Sequence, residues 1–144
     1  MIRRSLCAVT AFAALAAAGP SLAGDVTVTL TDVRPDAGDL YISLQSEDQF
    51  MQAAAVAGEK VVNPQTDTVT VTFRDVPDGR YAMSVWHDIN GDGTFNMGPQ
   101  GPADGWSMIG ADDLRGMPTF AKNSFSLSGN ASLTERVHYP EDSQ

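Results

Sequence analysis

The clearest signal along the chain is an alternation of apolar and hydroxyl side chains. In "DVTVTLTDV", residues 25–33, Val26, Val28 and Leu30 fall on one side and Thr27, Thr29 and Thr31 on the other. That period of two predicts a half-buried strand. "RPDAGD" follows as turn chemistry, and "LYISLQS", 40–46, reads as a second strand. "EDQFMQAAAVAG", 47–58, is rich in helix formers and closes on glycine, so one short helix is expected there. Alternation returns in 66–76, with Val69, Val71 and Phe73 facing inward. After "PDGR" turns the chain, 81–87 alternates again, with Tyr81, Met83 and Val85 on one face and Ala82, Ser84 and Trp86 on the other. "NSFSLSG", 123–129, and "ASLTERVHY", 131–139, read as a closing hairpin around Gly129-Asn130.

Between Asp88 and Phe120 the alternation stops. Glycine and proline recur throughout, yet Phe95, Trp106, Met108, Ile109 and Leu114 give the stretch apolar anchors. A long irregular segment in a compact domain is unusual, and the anchors argue for an ordered loop. Six strands, one short helix and one long loop make an all-β, antiparallel β-sandwich of immunoglobulin-like kind the economical architecture.

The first residues do not belong to that sandwich. "MIRR" is a basic start, "LCAVTAFAALAAA" an apolar run, and Ser21-Leu22-Ala23 supplies the small residues a signal peptidase reads. The run is shorter than the roughly 18–20 apolar residues that span a bilayer. The expectation is a signal peptide over 1–23, one β-sandwich domain over 24–144, and a periplasmic or extracellular location with no membrane span. The only cysteine, Cys7, lies in the leader, so the exported part has no disulfide.

Charge narrows the partners. The chain has 18 acidic against 9 basic residues, a formal net charge of −9, and losing Arg3 and Arg4 with the leader would make it more acidic still. A surface of that sign repels nucleic-acid phosphates and anionic lipid, and attracts cations.

One segment of the loop is shaped for a cation. "DINGDGTFN" places Asp88, Asn90, Asp92, Thr94 and Asn96 at alternate positions, with Gly91 and Gly93 between. Calcium takes six to eight oxygens at once, and a chain supplies them in a short span by alternating donors and curling at glycine. These residues match the front of an EF-hand loop, but Pro99 stands where its closing glutamate belongs, and a strand rather than a helix leads in. Asp104 is the nearest downstream acid to complete the shell, with Asp112 and Asp113 as less convenient substitutes. So composed, the site predicts calcium affinity of about 10⁻⁴–10⁻³ M, as in extracellular modules. The competing reading is a solvated acidic turn, since Asn-Gly and Asp-Gly are turn formers in their own right.

Other chemistry is thinner. His87 and His138, the only histidines, would make a poor two-imidazole metal site. The methionines are scattered as gap-fillers are. Trp86 and Trp106, with Phe95, could hold a sugar or a peptide, which makes a glycan or protein partner the alternative to an ion. No nucleophile motif, phosphate loop or dinucleotide fingerprint is present, so no catalysis is expected.

The segment from Val71 to Trp106 resembles the small exported bacterial proteins catalogued as domain of unknown function 2141. Their turn "lP-x-G-x-Y-A" is matched by Val76 to Ala82, and "HD-x-N-x-[ND]-G-x-[LF]-[DN]" by His87 to Asn96. Gly101 to Trp106 stands for "G-x-P-x-E-G-[WYF]", and Pro118 to Phe125 for "P-x-[FW]-x-x-A-x-F". Asp104 replaces the usual glutamate, and Gly101-Pro102 shortens the spacing by one. The resemblance implies a transthyretin-like or prealbumin-like sandwich outside the cytoplasm and carries no activity with it.

Overall fold

A computed structural model describes residues 22–140. The expected signal peptide lies outside the described residues, except for its last two positions. Ten strands follow one another: β1 (Ala23–Thr31), β2 (Asp39–Gln45), β3 (Ala57–Val61), β4 (Val69–Pro77), β5 (Gly79–Asp88), β6 (Met97–Gly98), β7 (Gly101–Pro102), β8 (Gly105–Met108), β9 (Ser124–Leu127) and β10 (Ala131–Arg136). They form two main sheets. One has the order β10-β1-β4, the other β3-β2-β5-β8, and β9 lies end to end with β8 along the same edge of β5. β6 and β7 make a minimal hairpin of their own.

The alternation fixes which faces meet. Val26, Val28 and Leu30 of β1, Leu40, Ile42 and Leu44 of β2, and Met83 and Val85 of β5 are buried in one core with Phe73, Val76, Val137 and Tyr139. Burying a leucine- or isoleucine-sized side chain contributes about 1.5–3 kcal/mol, which is what a period-two pattern secures when two sheets stack. The fold is thus the expected all-β sandwich, antiparallel but for the β1–β10 pair.

Two local expectations are corrected. The helix over 47–58 is not formed. A single 3-10 turn, Glu47–Gln49, ends at Phe50, and Met51 takes a left-handed φ of 62°. Residues 51–56 are all exposed, so a helix here would have no apolar face to bury, and an isolated helix of that length is marginal in water. Instead the Gln45 amide nitrogen donates to the Gln52 and Ala54 carbonyls, the Val56 N–H donates to the Leu44 carbonyl, and the chain returns as β3. The closing hairpin is also absent. β9 pairs with β5 while β10 crosses to the other sheet and runs parallel to β1. Alternation and a Gly-Asn turn look alike in a hairpin and in a strand that changes sheets. Asn130 Oδ1 instead accepts the Asp25 N–H, which ties the crossing point to β1.

Within 88–120, β8 breaks the irregular stretch. Its four residues pair with β5 in the register Ser84–Met108, Val85–Ser107, Trp86–Trp106 and His87–Gly105.

Candidate cation loop and the groove beside it

Strand β5 delivers Asp88 at its end, where the side chain is 4 % exposed. One carboxylate oxygen, Oδ2, accepts the Gly93 N–H at 2.9 Å. The other, Oδ1, is buried with no hydrogen-bond partner. A buried carboxylate oxygen without a partner is costly, because it has given up water and gained nothing in return. Across the β2–β5 ladder, Asp88 stands opposite Asp39. Like charges at that spacing repel unless compensated. Asp39 has its cation, Lys60 Nζ at 2.7 Å, whose hydrogen bond is the chief reason the Asp39 carboxyl is held below its ordinary range.

Beyond Asp88 the loop curls through two left-handed glycines, Gly91 at φ 69° and Gly93 at φ 71°. Neither has a neighbour that a Cβ would meet, so the requirement there is conformational. Asn90 Oδ1 accepts the Asp92 N–H at 3.1 Å, and Asp92 Oδ1 accepts the Thr94 N–H at 2.8 Å. The Asn90 and Asn96 amide nitrogens donate to Asp92 Oδ2 at 3.1 and 2.8 Å. The Asn96 contact is the leading cause that holds the exposed Asp92 carboxyl below its ordinary range. Asn96 also donates to the Thr94 carbonyl.

Asp104 closes the arrangement from the far side, fully buried at 1 % exposure. Its Oδ2 accepts the Asn96 N–H at 3.0 Å and the Trp86 indole N–H at 3.3 Å. The Ala103 N–H returns to the Asn96 carbonyl at 2.8 Å. Asp88, Asn90, Asp92, Thr94, Asn96 and Asp104 therefore belong to one loop network, but each carboxylate holds a different backbone amide. Among the described residues, no three His, Cys, Asp or Glu side chains gather as a ready metal cluster. An ion here would take mixed oxygens, with the Asn90 and Asn96 amides turned to present their carbonyl ends.

Directly behind the loop, His87 is fully buried. Its Nε2 meets the Gly38 carbonyl at 3.2 Å and its Nδ1 the Tyr139 hydroxyl at 2.7 Å. The carbonyl can only accept, which assigns the proton to Nε2 and leaves Nδ1 to accept from the hydroxyl. The Tyr139 oxygen in turn accepts the Arg34 N–H at 2.9 Å. Burial, first of all, holds the imidazole below its ordinary range. Gly105 makes this packing possible, since a Cβ there would sit 2.6 Å from the Tyr139 ring and 2.8 Å from the His87 Cβ. His138 instead stacks on Trp106, with ring centres 5.0 Å apart, and its Nε2 lies 3.2 Å from Asp112. The two imidazoles serve different partners.

The outward face of the larger sheet carries the expected Trp86, Trp106 and Phe95 together with residues that were not foreseen. Register puts Tyr41, Trp86 and Trp106 in one row across β2, β5 and β8. Tyr41 and Trp86 stack at 4.6 Å, and Phe95 of the loop meets Trp86 edge-on at 6.4 Å. These side chains floor a groove of about 920 Å³, walled by Met51 and Met117 from two loops and by Met97 of β6. Trp86 and Trp106 were legible as candidates. That Tyr41 joins them depends on strand register, which one sequence does not display.

A model of the bacterial family described as "Uncharacterized protein conserved in bacteria (DUF2141)" matches residues 28–134, from the second turn of β1's alternation to the middle of β10. No curated protein and no solved structure matches the chain.

Proposed function

The chain belongs to the DUF2141 family, and we propose that within it this protein is an exported, non-enzymatic sandwich whose Asp88–Asp104 loop is ordered by calcium and shapes a binding surface. The single observation that carries the reading is Asp88 Oδ1, a buried carboxylate oxygen without a partner at the head of the alternating oxygen series. A divalent cation bound there would satisfy that oxygen and offset the Asp39–Asp88 repulsion. Asp92, the Thr94 carbonyl, the Asn90 and Asn96 amides and Asp104 are the residues able to share in the shell.

The non-enzymatic half of the reading is supported by how the buried imidazole is held: His87 is engaged on both nitrogens, by Tyr139 and Gly38, and so is not poised as a general base. Export follows from the leader sequence, and predicts a mature N-terminus at Gly24. Protein sequencing that finds Met1 retained on the protein isolated from its native host would overturn that part.

For the ion, the test is thermal unfolding with calcium and with chelator. Weak millimolar binding still stabilises by about 1–3 kcal/mol once calcium exceeds Kd tenfold or more, a rise of several degrees for a domain of this size. An unchanged melting temperature contradicts the proposal.

A further inference from the structure

The groove on the outward face of the β3-β2-β5-β8 sheet has an occupant that its walls describe. Its lining is predominantly apolar and aromatic. Four of the large apolar side chains left exposed on the molecule line it: Met51 at 57 %, Phe95 at 43 %, Met97 at 68 % and Met117 at 83 %. They come from three separate stretches of chain, around Met51, from Phe95 into β6, and around Met117, so exposure converges on this face instead of scattering over the surface. An apolar patch of that kind on a soluble domain marks a binding site. Methionine walls fit partners whose side chains vary in shape, because the thioether chain is unbranched and adapts.

The rim supplies the charge of the partner. Glu59 lines the groove from β3, and Glu47 and Asp48 stand just before Met51. Asp113 stands just before Leu114, another lining residue. Of these four only Glu59 is itself in the lining, and none has an ion-pair partner among the described residues. Of the cations nearby, Lys60 is held by Asp39, and Arg115, between the lining residues Leu114 and Gly116, donates to the Asp112 and Leu114 carbonyls. An apolar trough with an unneutralised acidic rim complements a segment that is apolar on one side and basic on the other. A neutral sugar would leave the methionines without purpose, and an acidic amphiphile would meet like charge.

We propose that this groove binds an amphipathic basic peptide segment, its apolar side chains on Trp86, Met97 and Met117 and its lysines or arginines against Glu59 and the neighbouring acids. The inference rests on the reading of this face as a binding surface and does not require the ion.

The test uses the purified protein and intrinsic fluorescence of Trp86 and Trp106, which line the groove, backed by calorimetry. The probe is a synthetic amphipathic peptide with a leucine face and a lysine face. The controls are the same peptide with glutamate for lysine, a serine–lysine peptide of equal charge, and a neutral oligosaccharide. The leucine–lysine peptide should bind saturably. Affinity should fall about tenfold in the Met97→Ser, Met117→Ser double variant, and again in Glu59→Lys. All three positions are exposed, so the fold is not at risk. Absence of binding overturns the proposal, as does equal binding of either control peptide, preference for the oligosaccharide, or indifference to the variants. Calcium-dependent melting is read separately, so loss of the ion reading and loss of the peptide reading give different results.

Discussion

On the smaller sheet the outward rows are Ser132–Thr27–Thr72 and Thr134–Thr29–Thr70, whereas on the larger sheet they are Tyr41–Trp86–Trp106 and Ser43–Ser84–Met108. Both sheets bury the opposite face in the same core and obey the same alternation. The threonine rows meet water directly, and their hydroxyls pair across strands at 3.2 Å for Thr27–Thr72 and 3.3 Å for Thr29–Thr70. The aromatic rows are covered in part by the loop, through Phe95 on Trp86, and the loop is tied down by Asp104 beneath. One face is finished by its own strands. The other depends on a loop whose first carboxylate is left incomplete. The difference is the ground for proposing a binding surface on the larger sheet, where sequence is spent on groups that the core does not use.

Asp104 is where the comparison breaks most easily. Asp104→Ala leaves the Trp86 indole N–H and the Asn96 N–H without their acceptor. Each such loss costs about 1–3 kcal/mol when buried, so the expected destabilisation for the two is about 2–6 kcal/mol, with altered tryptophan fluorescence. Urea unfolding reads the first and emission spectra the second. Asp104→Asn keeps the volume and an acceptor oxygen and should lose less; equal losses would mean that the negative charge, and not the acceptor oxygen, is what the loop uses.

His87 sharpens the comparison through pH. Its folded imidazole is held below the ordinary value of 6.5, chiefly by burial, and is therefore neutral in the fold. The stabilisation is fully present above 6.5 and is lost as pH falls below it, because the unfolded chain then takes up a proton that the folded chain refuses. The limiting slope for one proton is about 1.4 kcal/mol per pH unit. In chelator, the unfolding free energy of the parent protein should fall more steeply between neutral and acid pH than that of His87→Gln. Identical slopes would assign the acid sensitivity to other groups.

The smallest effect belongs to the hydroxyl face. Thr29→Ala removes one exposed cross-strand hydroxyl pair with Thr70, and the expected cost is about 0.2–1 kcal/mol. Tryptophan emission and calcium response should be unchanged. A larger loss, or a changed response, would show that the two faces are coupled through the core.

Much of the architecture was legible because period-two alternation is a local signal: Val26, Val28 and Leu30, or Tyr81, Met83 and Val85, declare their face without reference to any other strand. What was not legible depends on partners distant in sequence. The helix expected at 47–58 has the right composition, yet β2 captures its backbone groups, and no local signal reports that. β10 alternates as a hairpin strand would, and only its parallel register with β1 shows that it changes sheets. β8 is four residues long amid glycine and proline, too short to declare itself. In the loop, the alternating oxygens and Asp104 as the nearest downstream acid were readable from spacing, whereas the hydrogen bonds of Asp104 to the Asn96 N–H and the Trp86 indole were not. The Asp39–Asp88 pairing and the Tyr41–Trp86–Trp106 row were not, since both are facts of register.

The most direct test of the calcium-ordered loop is differential scanning calorimetry of the parent protein and Asp88→Asn, each with calcium at about ten to a hundred times the expected Kd and in chelator. The parent should melt several degrees higher with calcium, in line with about 1–3 kcal/mol of linked stabilisation. Asp88→Asn, whose amide can still accept the Gly93 N–H, should lose that difference while melting normally in chelator. A parent protein whose melting temperature is the same with and without calcium, or an Asp88→Asn variant that keeps the full shift, would contradict the account.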